Sequence, residues 1–205
     1  FQTPLGQVKL DRATIESVAN MHQLVQDDEA HREEHSLEVH LPFLQEILDD
    51  FTLVPLLVGN ASETEVAQVL DQLWGGNETL IVISTDLSHY EDYATAKRMD
   101  ADTAAAIEEL RIDGISQSQA CGSIPVCGLM TTAKRRGMSV DRVDLKNSGD
   151  TAGSKDQVVG YGAWAFRDAS APNDAAIIMR HHAEILRVAS ASIKHGLAKG
   201  KPPAV

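Results

Sequence analysis

Apolar residues recur at helical spacing in several stretches of the chain, with polar residues between them. The clearest stretch predicts a helix that begins at Ser62, where Glu65 three residues later completes a capping-box signature, and that ends before Gly75 and Gly76. Gly137 is suited to the C-terminal end of a further helix. Besides the first, the predicted helices span residues 11–22, 41–48, 93–110 and 125–136.

Other stretches have the short apolar runs that are typical of β-strands. Residues 51–58 form one such run, and residues 79–84 form a second, largely β-branched run that predicts a strand covered on both faces. Residues 140–145 and 158–166 predict two more strands, separated by the turn-rich residues 147–153. Because strands alternate with helices, the predicted fold class is α/β, a layered domain with functional loops at the carboxyl ends of its strands.

The character of the chain changes near residue 169. Residues 174–197 have one long helical pattern, and residues 174–205 carry five Lys or Arg against two acidic residues. This reversal of charge predicts a boundary between a main domain, residues 1–168, and a linker with a helix, residues 169–205.

Charge excludes two classes of partner. The 205 residues include 30 acidic and 18 basic side chains, a formal charge of −12, whereas nucleic acids and anionic membranes bind clustered cations. No apolar run approaches the length of a membrane span, and the chain starts without a signal segment, so we expect a cytoplasmic protein. The two cysteines, Cys121 and Cys127, are too few for a disulfide scaffold and are expected to be free thiols.

Asp86 and His89 follow the apolar run of residues 79–84. A carboxylate beside an imidazole orients it and raises its basicity, which suits a general base or a metal ligand. The alternative is that Asp86 caps a turn and His89 is an ordinary surface residue.

Cys121 stands just ahead of the predicted helix that contains Cys127. The positive end of a helix dipole favours a thiolate, and therefore nucleophilic attack or metal binding. The alternative is a small thiol without a role, and Cys127 is expected to be core packing. Two mechanisms fit these residues: a hydrolase or transferase with Cys121 as nucleophile and His89 as base, or a mixed thiolate and imidazole metal site.

Two further pairs of polar residues are candidates for lining a pocket. His35 and His40 are five residues apart, which is poor spacing for a shared helical face, so pocket lining competes with a solvated acidic helix start. Asn147 and Asp150 are candidates for the pocket rim, although Asn-Ser-Gly-Asp is also favourable turn chemistry.

Taken together, five motifs resemble the Memo family, the proteins known in bacteria as AmmeMemoRadiSam system protein B. They agree with it in order and spacing across residues 1–168, which makes the resemblance more specific than any one motif. The motifs are TPLG at 3–6, EHSLEVHLPF at 34–43, STDLSHY at 84–90, ACGSIPVCG at 120–128, and NSGDTAG with VVGYGAWAF at 147–166.

This resemblance implies the fold of the class III extradiol dioxygenases, a mixed β-sheet flanked by helices with a pocket at one end. It also implies a non-haem metal, iron or copper, with Cys121 in place of the usual carboxylate ligand. His89 with Asp86 matches the acid or base position, and His35 and His40 match the pocket-lining motif. A soft thiolate shifts metal preference, so the residues leave open whether the complete protein is a metal-dependent redox enzyme, a peptide-binding or anion-binding module, or a hydrolase.

The sequence departs from the family pattern at its start. The two metal-binding histidines of the family lie in loops that have no counterpart here, so we expect a segment of a longer protein that binds metal weakly or not at all by itself. The loss of leading strands is expected to leave a sheet edge unpaired, a route to self-association. Residues 182–197 resemble the first helix of the AmmeMemoRadiSam system protein A domain, which implies a functional link to a radical SAM protein; a linker helix packed on the main domain is the alternative.

Overall fold

The fold is described from a computed structural model of the chain, which describes residues 1–48, 50–151 and 153–168. The predicted helix at residues 174–197 and the boundary near residue 169 lie outside these residues. The five helices of this part of the chain are α1 Arg12–Val18, α2 Leu41–Ile47, α3 Glu63–Leu73, α4 Tyr93–Glu108 and α5 Ser123–Arg136. The strands are β1 Gln2–Thr3, β2 Gly6–Gln7, β3 Lys9–Leu10, β4 Thr52–Leu53, β5 His89–Glu91, β6 Ser139–Asn147 and β7 Val158–Arg167.

Two units make up the described chain. The smaller unit contains Phe1–Leu10 and Leu37–Leu53, with β1 and β2 paired antiparallel and β3 paired parallel to β4. Its helix α2 has Pro42 in the first turn, as predicted, because proline has no N–H to lose there. Thr3 Oγ1 lies 2.5 Å from Gln45 Oε1 and so ties the hairpin to α2.

The larger unit contains residues 11–36 and 54–168 and has its core where α3, α5 and β7 meet. Val66 and Leu70 of α3 pack with Leu129 of α5. The two helices approach closely because position 128 is glycine: a Cβ there would lie 2.5 Å from Val66 Cγ1. A second cluster joins Ile107 of α4 to α5, and Trp164 and Phe166 of β7 cover it.

The main sheet is antiparallel, in the order β5-β7-β6. The long β6–β7 ladder runs from the Ser139–Arg167 pair to the Asn147–Gly160 pair, and His89 of β5 pairs with Val159 on the other edge of β7. Helix α4 connects β5 to the rest of the unit and contacts both β6 and β7. His89 therefore lies beside the buried start of β7.

The helix boundaries confirm the predictions that depended on local signals. Glu65 N–H donates to Ser62 Oγ at 3.2 Å and Ser62 N–H donates to Glu65 Oε2 at 2.8 Å, so the predicted capping box is present. Gly137 adopts a left-handed φ of 65° at the end of α5, where its missing side chain makes that conformation inexpensive. No helix of the described residues has the length and apolar character needed to cross a membrane.

The strand predictions were less successful. Residues 79–84 join no ladder in the described chain, and Leu80 and Val82 are 63% and 45% exposed, so the prediction of a strand covered on both faces was wrong. Ile81 and Ile83 do pack on the core, which explains half of the apolar pattern. Of residues 51–58, only Thr52–Leu53 is a strand. The fold is mixed α/β, but its described residues form three small sheets where one layered sheet was expected.

Candidate functional site

The segment from Ser84 to His89 is fastened to β7 by its backbone. Leu87 N–H donates to Gly160 O, and Gly160 N–H donates to Ser88 O, each at 2.8 Å. These two bonds hold the segment immediately before β5, although the run that precedes it forms no strand. The polar residues that follow the apolar run are therefore held against β7, and His89 is the first residue of β5.

Asp86 and His89 face each other across this loop. The Nε2 atom of His89 lies 3.7 Å from Asp86 Oδ2, and both side chains are partly exposed to solvent. A pair this exposed adds roughly 0–1 kcal/mol to stability, so its main effect is to orient the imidazole. Tyr90 follows within β5 with a positive φ of 59°, where the register between β5 and β7 shifts.

Cys121 meets the same loop from the start of α5. Its sulfur lies 3.5 Å from Thr85 Oγ1 and 3.8 Å from the carbonyl oxygen of Asp86. The thiol is exposed and forms no disulfide, and Gly122 next to it is the N-terminal cap of α5. Cys127 is buried inside α5, as predicted for core packing, and burial raises the pKa of its thiol.

Asp86 is thus the residue that Cys121 and His89 share. Its carbonyl oxygen contacts the sulfur, and its carboxylate contacts the imidazole. Within the described residues, no direct contact joins Cys121 to His89. The two side chains are thirty-two positions apart in sequence, and the geometry brings them to one loop.

Asp100 of α4 was not identified from the sequence, yet its carboxylate lies beneath this loop. The residue is 3% exposed, and its Oδ1 atom accepts a hydrogen bond from Ser88 N–H at 3.0 Å. Space for the carboxylate exists because position 160 is glycine: a Cβ there would lie 2.2 Å from Asp100 Oδ2. Burial raises the pKa of Asp100 above its ordinary value. The sequence offered one signal for Asp100: it is an acidic residue on the apolar side of the predicted helix at residues 93–110.

Asn147 and Asp150 form the turn between β6 and β7. Asn147 Oδ1 accepts from Gly149 N–H and Asp150 Oδ2 accepts from Asn147 N–H, each at 3.0 Å, which is the turn chemistry that the sequence indicated. Tyr93 donates its hydroxyl to Asp150 Oδ1 at 2.6 Å, and this bond lowers the pKa of Asp150. A role of the pair in a pocket rim stays a prediction.

His35 and His40 belong to different units of the described chain. His35 is exposed in the larger unit, where the nearby Glu34 carboxylate accepts from Ser36 N–H at 2.7 Å. His40 precedes α2 in the smaller unit, and partial burial lowers the pKa of its imidazole. Their predicted role in lining a pocket stays a prediction.

A metal ion in a protein needs several donor side chains that point to one place. Across the described ranges, no group of three or more His, Cys, Asp or Glu side chains is arranged to hold a metal ion. Cys121 contacts a hydroxyl and a carbonyl oxygen, and the imidazole of His89 is directed at a carboxylate. These residues alone therefore do not fit a complete metal site.

Comparison with known proteins decides the family. The family model described as Memo-like protein matches residues 1–165, which include Asp86, His89 and Cys121. The chain belongs to the Memo family. The resemblance that the five motifs indicated is therefore confirmed.

Three curated relatives of this Memo family member show the extent of the similarity. It is 34% identical over 170 residues to a MEMO1 family protein of Thermoplasma volcanium, an alignment that covers 78% of this chain and 63% of the relative. Identity is 32% over 176 residues to a MEMO1 family protein of Archaeoglobus fulgidus, with 80% and 67% covered. A MEMO1 family protein of Methanosarcina mazei is 34% identical over 177 residues, with 80% and 66% covered. The chain thus spans about two thirds of the length of these relatives.

Proposed function

We propose that Asp86, His89 and Cys121 form one side of the active centre of a Memo-type redox enzyme, in which His89 acts as acid or base. The observation that carries this proposal is the double contact of Asp86, with the sulfur through its carbonyl oxygen and with the imidazole through its carboxylate. An exposed sulfur and an imidazole that both contact one residue are held near each other. Catalytic groups need such positioning to act on the same bound molecule.

The role of Asp86 in this proposal is to orient. Its carboxylate, 3.7 Å from His89 Nε2, attracts the imidazole when the ring is protonated. The His89 side chain is partly exposed and the Cys121 thiol is exposed, so a substrate can approach both. Beneath the loop, the bond from Ser88 N–H to Asp100 restrains the backbone that carries His89.

The metal part of the proposal concerns the full-length protein. Cys121 would supply a soft sulfur donor, which suits iron or copper, together with donors from outside the described residues. The metal, when bound, would supply the redox chemistry, as in the class III extradiol dioxygenases whose fold the family resembles. The substrate is a small molecule or a peptide, and a functional link to a radical SAM protein is part of the same proposal.

Two other functions use the same residues differently. A binding module for peptides or anions would need the pocket but not the thiol. A hydrolase would need His89 to contact Cys121, and the contacts of the sulfur in the described chain are Thr85 and the Asp86 carbonyl instead. A Cys and His hydrolase therefore requires a rearrangement that the redox proposal does not.

The variant Cys121→Ser in the full-length protein separates these functions, with Cys127→Ala as the matched control because Cys127 is a buried thiol of the same region. After loading with iron(II) or copper(I), metal retention is measured by elemental analysis following desalting. Oxygen consumption is followed with ascorbate and a panel of dihydroxylated aromatic compounds. Cys121→Ser should lose metal and activity, while His89→Gln should keep the metal and lose activity.

Other outcomes would contradict the proposal. If Cys121→Ser retains metal like the wild type, the thiol is not a metal ligand and a binding module is favoured. A stable ester on the serine that Cys121→Ser introduces, detected by mass spectrometry after incubation with activated esters, would favour the hydrolase. Equal loss of metal in Cys127→Ala would show general destabilisation and would also refute the assignment to Cys121.

A further inference from the structure

We propose that Thr85 is a positioning residue that fixes the Cys121 thiol against the Asp86 carbonyl. Its hydroxyl accepts a hydrogen bond from Gly122 N–H at 2.7 Å and donates one to Asp86 O at 2.8 Å. The same oxygen lies 3.5 Å from the sulfur of Cys121. One hydroxyl therefore ties the loop that carries Asp86 to the residue that follows Cys121.

The position of this hydroxyl explains how α5 begins. Gly122 is the N-terminal cap of α5 but has no side chain with which to cap it. Thr85, from a segment thirty-seven positions earlier, supplies the acceptor that the backbone N–H of Gly122 needs. The bond to Thr85 fixes the position of Gly122. Because Cys121 directly precedes Gly122, the same bond restrains the backbone of Cys121.

Packing at Gly122 supports the same assignment independently of the hydrogen bonds. A Cβ at this position would lie 2.8 Å from both Cβ and Oγ1 of Thr85, and 3.1 Å from the carbonyl oxygen of Ser84. The φ of Gly122 is −92°, which other residues adopt readily, so space and not backbone conformation requires glycine here. The close approach leaves Thr85 little freedom to turn away from the start of α5.

The sulfur is restrained as a consequence. The hydrogen of the Thr85 hydroxyl is directed to Asp86 O, so the thiol hydrogen of Cys121 has Asp86 O and Thr85 Oγ1 as its nearest acceptors. Both acceptors keep their positions only while Thr85 joins them to Gly122. Without the hydroxyl, the thiol loses its contact with Thr85 Oγ1, and the Asp86 carbonyl is no longer held in place by Thr85.

The test compares alkylation of Cys121 in four forms of the protein at one pH: wild type, Thr85→Val, Thr85→Ser and Thr131→Val. Thr131→Val is the matched control because it removes a hydroxyl of α5 that donates to Cys127 O at 2.8 Å and does not touch Cys121. Labelling by iodoacetamide is quantified by peptide mass spectrometry, with the buried Cys127 as an internal measure of unfolding. Thr85→Val should label Cys121 faster by about fivefold, the ratio that corresponds to the loss of one net hydrogen bond.

Thr85→Ser should restore labelling to the wild-type rate because it keeps the hydroxyl. Unchanged labelling in Thr85→Val, labelling of Thr85→Ser as fast as that of Thr85→Val, or the same acceleration in Thr131→Val would each overturn the proposal. Amide exchange of Gly122 in the wild type provides a measurement that needs no variant, and exchange at the unprotected rate would also overturn it. This positioning role rests on the proposed active centre, because it concerns how the Cys121 thiol is held there. The labelling experiment requires neither metal nor turnover, so either proposal can fail alone.

Discussion

Asp100 allows the contribution of a single buried hydrogen bond to be measured without the effect of charge. Its Oδ1 atom is the acceptor for Ser88 N–H at 3.0 Å, and the residue is 3% exposed. Asp100→Asn keeps an acceptor oxygen in this place and removes the charge. Asp100→Ala removes both. Because both variants are neutral at position 100, the difference between their free energies of unfolding measures the contribution of the acceptor oxygen and the few side-chain atoms that hold it.

The magnitude follows from the group that would be left without a partner. A buried N–H that loses its acceptor costs about 1–3 kcal/mol. Alanine is the better helix former by roughly half a kcal/mol, which reduces the observed difference slightly. The Ser88 hydroxyl is buried and has no hydrogen-bond partner within the described residues, so its oxygen is available as an acceptor for the new amide group. We expect Asp100→Ala to be less stable than Asp100→Asn by about 1–2.5 kcal/mol.

The dependence on pH provides a second measurement from the same proteins. Burial raises the pKa of Asp100 in the folded state, so the folded state holds this proton more tightly than the unfolded state does. The stability that comes from this group is fully present below its unfolded pKa, roughly pH 4, and is lost as the pH rises through the folded pKa. The stability of the wild type minus that of Asp100→Asn should therefore fall as the pH rises from about 4, and then become constant.

Urea unfolding followed by circular dichroism measures both quantities, with all three proteins examined at several pH values. Equal stability of Asp100→Ala and Asp100→Asn would refute the argument that Ser88 N–H depends on this acceptor. A difference between wild type and Asp100→Asn that grows as the pH rises would refute the assigned direction of the pKa shift. Changes in other carboxyl groups are common to the three proteins and cancel in the comparison.

Three further predictions follow from other parts of the molecule. Gly160→Ala should destabilise the protein by about 1–3 kcal/mol in urea unfolding, because its Cβ would lie 2.2 Å from Asp100 Oδ2; combination with Asp100→Ala should recover part of the loss. Calorimetric titration of this 205-residue chain with iron(II) or copper(I) should show no tight one-to-one binding, since the described residues contain only part of a donor set; a sharp stoichiometric transition would contradict this. The exposed Leu80 and Val82 should promote self-association in sedimentation velocity, and Val82→Lys should reduce it, whereas an equally monomeric wild type would show that this exposed apolar segment is harmless.

Local signals in the sequence were sufficient for the start of α3 and the end of α5, whereas the helix predicted over residues 11–22 ends early, at Val18. Ser62 and Glu65 satisfy each other's backbone N–H groups within one turn, and Gly137 ends α5 because a residue without a side chain adopts its positive φ. Such interactions join residues that are only a few positions apart, so their presence in the sequence nearly determines the local structure. The order and spacing of five motifs also indicated the family.

Contacts between distant segments were decided by the tertiary structure alone. The apolar run at residues 79–84 indicated that its side chains could be buried, but pairing requires a neighbouring strand, and periodicity contains no information about neighbours. Asp100 under Ser88, and Thr85 against Gly122, join elements that are twelve and thirty-seven positions apart. In both cases the close approach is possible because a glycine, Gly160 or Gly122, has no side chain in the way. The sequence does not indicate which residue packs against each glycine. The candidate site is therefore a product of packing: the sequence supplied the thiol, the imidazole and the carboxylate, and the fold of the larger unit placed them around one loop.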